Sequence, residues 1–191
     1  MGKYNLNDDS YDAKDVAIFN DGEAGKALNV EISKIEKKTT DGNQPDWKIY
    51  FKDSSGNEIS HGLYYVDTTR EYGEKKWISQ GKLLKHLVHQ VMGADAKLPE
   101  FDTTEEGLDK VMSKLAKSID GVKLNVWCNY GTENKSSEYL RIRSFAPMME
   151  PAATAEEDSK LKRSKIEVMS RITADAEPEV EEVAEGSEGD W

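Results

Sequence analysis

The chain has one cysteine, Cys128, and three histidines in 191 residues. A single thiol excludes an internal disulfide and any multi-cysteine zinc site. A chain without disulfides suits a reducing compartment, so a cytoplasmic location is expected. No apolar run is long enough to cross a membrane, and no apolar stretch near the N-terminus reads as a secretory signal. The arrangements that carry catalysis are missing too. Carboxylates are plentiful but form no paired constellation. DGEAGKA (21–27) holds Gly22, Gly25 and Lys26, but it lacks the GxxxxGK[ST] spacing and feeds a strand, so it reads as a turn. His86 and His89 lie three apart on one helix and His61 lies on a strand, with no acid at motif spacing, which is the pattern of solvated or core histidines. Cys128 falls on the core face of its strand, where a thiol acts as a small hydrophobe. No enzymatic activity, cofactor or metal is expected.

What the chain does have is acid, unevenly spread. The net charge is −11, yet residues 174–191 contain eight acids and no base, so the other 173 carry 26 bases against 29 acids, a balance of −3. Local patches on that nearly neutral body, and not the total, decide what it binds.

Residues 1–13 read as a flexible N-terminus, 14–150 as one domain, 151–173 as a linker, and 174–191 as an acidic tail too poor in apolar residues to offset the entropy of ordering. Within the linker, 160–172 (KLKRSKIEVMSRI) has the apolar points of a short basic amphipathic helix. The domain alternates strand-like and helix-like stretches. DVAIF (15–19) reads as a short strand and KALNVEISKIEKKT (26–39) as a long one. In the latter, Leu28, Val30 and Ile32 share a face, and a phase shift before Ile35 suggests a bulge. DWKIYFKD and EISHGLYYV form a hairpin about a tight SSGN turn. Two helices follow, one carrying Leu83, Leu84, Leu87, Val88 and Val91 and stopped by Gly93. The second opens on a Thr cap and carries Leu108, Val111, Met112, Leu115 and Ile119. Strands over 121–131 and 138–145 close the domain. A mainly β chain with a helical insertion between the third and fourth strands fits an OB-fold-like five-stranded Greek-key barrel. Other small α+β arrangements fit the same order.

Side chains alternate across a strand, so each strand gives two lists. Opposite the core positions stand Lys48, Tyr50 and Lys52 on one strand, Lys123 and Trp127 on another, and Tyr139, Arg141, Arg143 and Phe145 on the last. Tyr64 and Tyr65 adjoin, so only one can face the same way; Tyr64 is taken as the candidate. Bases alternating with aromatics suit single-stranded nucleic acid, whose phosphates attract Lys and Arg and whose unpaired bases stack on flat rings. Exposed strands also carry Tyr and Lys for β-propensity and solubility, and the helical insertion or the linker could cover Trp127 and Phe145.

The tail ends Glu188, Gly189, Asp190, Trp191. A β-rich body followed by an acidic tail with a terminal aromatic resembles the single-stranded DNA-binding proteins of bacteria and phages, and is similar in layout to the T7-type replication proteins. DWKIYFKDSSGNEISHGLYYV and VKLNVWCNYGTENKSSEYLRIRSFAP look similar to phage-encoded proteins of this kind. Trp stands where the family usually has Phe, and with one cysteine the Cys and His zinc site of T4-type relatives is not expected here. The resemblance implies sequence-independent single-stranded DNA binding in replication, recombination or repair, inside a bacterial host if the chain is phage-encoded. It implies a tail that recruits polymerase or primase-helicase through Glu188, Asp190 and Trp191, and a homodimer is compatible with it. The alternative is a non-enzymatic protein-interaction or virion-associated module.

Overall fold

The computed structural model describes residues 18–38, 45–97 and 105–171. The tail, the N-terminal segment with most of the expected DVAIF strand, the turn over 40–44 and the Thr cap before the second helix lie outside them. Six strands, β1 (Gly25–Lys37), β2 (Trp47–Lys52), β3 (Glu58–Leu63), β4 (Lys123–Thr132), β5 (Lys135–Ile142) and β6 (Met149–Pro151), form one antiparallel sheet. Two helices, α1 (Gly73–Met92) and α2 (Glu105–Ala116), lie between β3 and β4 in the chain. The sheet order is β3-β2-β1-β4-β5, and β6 pairs with the first part of β4. The sheet is not closed into a barrel: β3 and β5 approach each other without a hydrogen-bonded pairing among the described residues.

The long strand β1 serves two neighbours and carries two irregularities. Against β2 the register runs Ile32↔Phe51 and then Lys34↔Tyr50, leaving Ser33 as the extra residue of a bulge. This is the expected phase shift, and it lets Ile32 and Ile35 both point into the core. Against β4 the register slips again between Ala27 and Val30, where Asn29 has φ 54°. That second slip corrects one expectation: Ala27 turns inward and Leu28 is 56% exposed. A left-handed residue changes which face its neighbours present, and Asn tolerates that conformation better than most.

One face of the sheet and both helices enclose the apolar core. Leu83, Leu84, Leu87 and Val88 of α1 are buried, as are Leu108, Val111, Met112 and Leu115 of α2, against Ile49, Phe51 and Leu124 of the sheet. Each such side chain contributes about 1.5–3 kcal/mol by leaving water. Gly93, at φ 94°, ends α1, its N–H donating to the His89 carbonyl. Asp109 of α2 fastens the helical layer to the sheet. It accepts hydrogen bonds from Lys37 Nζ (2.6 Å), Trp47 Nε1 (2.7 Å) and the Tyr65 hydroxyl (2.7 Å). Burial works against its charged form, but these three donors outweigh it and hold the carboxyl below its ordinary range. The SSGN turn forms as expected, with Asp53 Oδ1 accepting the N–H groups of Ser55 (3.0 Å) and Asn57 (2.9 Å). Phe19, expected at the end of a strand, instead opens a short 3-10 turn, Phe19–Gly22.

The expected linker is part of the folded body. After β5 the chain continues in the same direction along β4, pairs with its first part as β6, and crosses the outer face of β4 as an extended strap over 152–171. No α-helix forms over 160–171; that stretch runs to the far edge of β4, where Thr132 bridges Glu167 and Tyr130 N–H donates to the Val168 carbonyl (2.8 Å). Pairing with a free strand edge satisfies its backbone more fully than one isolated helical turn could. The register of β1 can be checked by substitution. Ile32→Ala should cost about 2–5 kcal/mol in urea unfolding, whereas Leu28→Ala should change stability by no more than about 0.5 kcal/mol. Equal losses at both positions would mean that Leu28 faces the core and that the Asn29 slip is absent.

Candidate nucleic-acid interface

The ten side chains expected to face single-stranded nucleic acid fall into four groups. Lys48, Tyr50 and Lys52 lie on the outer face of β2, with Lys123 exposed at the start of β4. Glu31 of β1 stands opposite Lys52 on one side and Lys123 on the other, so the three form a row across three strands. Tyr139, 72% exposed, and Arg141 lie two apart on β5. Tyr64, 48% exposed just beyond β3, has its backbone N–H and C=O bonded to the Gln80 side chain, while Tyr65 turns inward to Asp109.

Trp127, Arg143 and Phe145 are different, and here the expected open face is corrected. Trp127 is only 8% exposed and Arg143 only 2%. The Arg143 guanidinium lies between two rings, its Cζ 4.8 Å from the centre of Trp127 and 4.9 Å from that of the half-buried Phe145. It donates to Glu167 Oε1 (2.8 Å) and Oε2 (2.5 Å), to the Pro147 carbonyl (2.8 Å) and to the Lys162 carbonyl (2.7 Å). Burial disfavours the charged Glu167 carboxylate, but Arg143, the Ser164 N–H and Asn129 more than compensate and keep it below the ordinary range. Asn129 Nδ2 donates to Glu167 (2.7 Å), and Asn125 lies near Glu150, which also accepts from Ser159 Oγ (2.9 Å). The polar residues that flank Trp127 on β4 are thus the seats on which the strap is held. Sequence reasoning did not assign Glu150, Ser159 and Glu167 to this role. The signal for it was the pair Asn125 and Asn129 alternating with apolar residues on a central strand.

On the β1–β2 face the cations are partly offset by acids. Lys34 and Lys38 both bond Glu36, and the Tyr50 hydroxyl donates to the same carboxylate (2.7 Å). Those two lysines, chiefly Lys34, and the tyrosine hold Glu36 down at about 2. Both ammonium groups also sit over the Tyr50 ring, 5.6 and 5.8 Å from its centre. Lys26 is engaged likewise, with Glu156 (2.6 Å) and Glu150 (3.6 Å).

The histidines do not converge. His61 points to the core side of β3, where burial lowers it to about 4, and His86 contacts the Met149 carbonyl (2.8 Å). Among the described residues no group of His, Cys, Asp and Glu could hold a metal ion, and no helix is long and apolar enough to cross a membrane. Burial pushes the Cys128 thiol up to about 12. Compared with known proteins, the chain matches no family model, no curated protein and no solved structure.

Removing either partner of the Arg143–Glu167 pair leaves a buried charge unpaired, so Arg143→Ala and Glu167→Gln should each cost about 3–5 kcal/mol in chemical unfolding. Because the folded-state value of Glu167 is depressed, its stabilisation is complete above about pH 4.5 and is lost as pH falls through the folded value. The stability gap between wild type and Glu167→Gln should therefore narrow below that pH. A gap that stays constant down to strong acid would show that the carboxylate charge contributes nothing.

Proposed function

We propose that the chain is a non-enzymatic, sequence-independent single-stranded DNA-binding protein built on an OB-type, partly open Greek-key barrel. The observation that carries this reading is the strand order β3-β2-β1-β4-β5, with a long bulged β1 shared by both halves and the helices between β3 and β4. In that architecture the outer face around strands 2 and 3 is the usual seat of an oligonucleotide. Here that face presents Tyr50 between Lys48 and Lys52, and β5 adds Tyr139 and Arg141. The exposed rings of Tyr64 and Tyr139 and the half-buried ring of Tyr50 would stack unpaired bases, and Lys48, Lys52, Lys123 and Arg141 would meet phosphates. Trp127, Arg143 and Phe145 serve this reading indirectly, by seating the strap.

The acidic tail completes the proposal. Its eight acids and terminal Trp191 suit a segment that docks one aromatic in an apolar pocket of a replication partner, with Glu188 and Asp190 meeting basic residues around it. Action in replication, recombination or repair, in the cytoplasm of a bacterial host, follows from the same resemblance. A second reading, a protein-interaction module, is favoured by one observation: Lys34 and Lys38 are both engaged by Glu36, which offsets one of their two charges.

Anisotropy of a labelled oligo-dT, titrated with protein at low and high salt beside a duplex of equal length, separates the two. Single-strand binding should be tight, should weaken steeply with salt and should exceed duplex binding. Tyr50→Ala and Tyr139→Ala should each weaken it about 5- to 150-fold, the worth of one stacked base at roughly 1–3 kcal/mol. Affinity indifferent to salt and to both tyrosines would transfer the assignment to the interaction module.

A further inference from the structure

The cations of this protein divide into engaged and free. On β1 and just after it, Lys26, Lys34, Lys37 and Lys38 all lie in ion pairs with Glu or Asp. On the strap, Lys162, Arg163 and Lys165 are exposed and make no ion pair among the described residues; the same holds for Arg141 of β5. No acid interrupts the strap between Lys160 and Ile166, and Glu167, the first that follows, is turned inward onto Arg143. Arg163, Ser164 and Lys165 line a depression of about 340 Å³. Arg141 stands opposite Asn129, whose side chain bonds Glu167, so Arg141 lies on the same outer face of the sheet that the strap crosses.

The backbone beneath these cations is fixed. The Lys162 carbonyl accepts from Arg143, the Ser164 N–H donates to Glu167 (2.7 Å), and Leu161 is buried on the sheet. A charged stretch held this way has little ordering entropy left to lose on binding. Free cations also answer to polyanions differently from paired ones: a paired lysine must first give up its carboxylate. Tyr139, two residues before Arg141, places an exposed ring next to the cluster, and a ring beside cations suits an unpaired strand better than a duplex.

We propose that the solvent side of the strap, Lys162, Arg163 and Lys165 together with Arg141, is a phosphate-binding surface for the single-stranded backbone. This deepens the DNA-binding reading above and rests on it. The strap thus covers the β4 face and replaces it as a contact surface.

The test is the salt dependence of oligo-dT affinity for the full chain. Each phosphate contact on a single strand contributes about 0.7 to the slope of log affinity against log salt. The variant Arg141→Gln, Lys162→Gln, Arg163→Gln, Lys165→Gln should lose about 2 to 3 from that slope, while Arg163→Gln alone should lose about 0.7. The charge-conserving Lys162→Arg, Lys165→Arg should lose nothing. All four side chains point to solvent, and an unchanged thermal midpoint confirms that the variants fold. If wild type binds oligo-dT and the slope survives the fourfold change, the strap proposal is overturned and the function stands. If wild type fails to bind oligo-dT at all, the DNA-binding reading falls and takes the strap with it. If the slope is unchanged but the variant no longer binds a synthetic peptide of residues 174–191, the strap serves the acidic tail, which also overturns the proposal.

Discussion

Everything beyond β5 hangs on one buried guanidinium. Arg143 leaves the edge of the sheet and turns under the strap, where it is held by two carboxylate oxygens, two backbone carbonyls and two rings. Taking both charges of the Arg143–Glu167 pair out of water costs several kcal/mol for each ion, so the pair is a weak source of net stability. What it does supply is position. Apolar contacts of the strap are few, with Leu161 its one fully buried aliphatic side chain among the described residues. Leu161 alone would allow the strap to slide along β4. A fork of donors that must meet both oxygens of Glu167 and the carbonyls of Pro147 and Lys162 at once admits one register.

That constraint gives β4 its unusual composition. A strand with solvent on one face alternates apolar and polar residues, and the polar ones need no partner. Here both faces are covered, the inner one by the core and the outer one by the strap, and every residue from Leu124 to Tyr130 is buried. The outer positions are still polar because β6 and the strap bring polar groups to them: Asn125 faces Glu150 of β6, and Asn129 faces Glu167 of the strap. An apolar outer face would have held the strap no more tightly in any one register, and would have exposed a hydrophobic strip whenever it lifted.

The strands β1 to β5, the Ser33 bulge and the apolar faces of both helices could be read from the sequence, because each depends on periodicity within a dozen residues, whereas β6 could not. The reading failed where structure rests on contacts far apart in the chain. Asn29 changes the facing of Leu28 through one left-handed residue, which alternation alone does not reveal. The segment PAATAEEDS has a linker's composition, yet Ser159 is buried against Glu150 and Lys26 reaches Glu156 across 130 positions. Arg143 is the most instructive case. It sits in phase with Tyr139 and Arg141 on one strand, and residue type gives no sign that one of the three is buried and the other two are exposed. Only a carboxylate 24 residues later decides it.

The same lesson limits what a count of bases on a strand can say about binding. Lys34, Lys38 and Tyr50 look like a site for phosphate and base when each strand is taken alone. In the folded sheet they converge on Glu36, so the group carries one net positive charge where the count gave two. An exposed ion pair is worth at most about 1 kcal/mol, so such lysines are not lost to a polyanion, but part of what a phosphate gains there is spent on separating Glu36. Cations on the strap carry no such cost. Two regions with similar sequence chemistry therefore differ in electrostatic availability, and the difference arises from where the nearest acids end up: on β1 beside the lysines, and over 160–171 in the single Glu167, turned inward to a buried arginine.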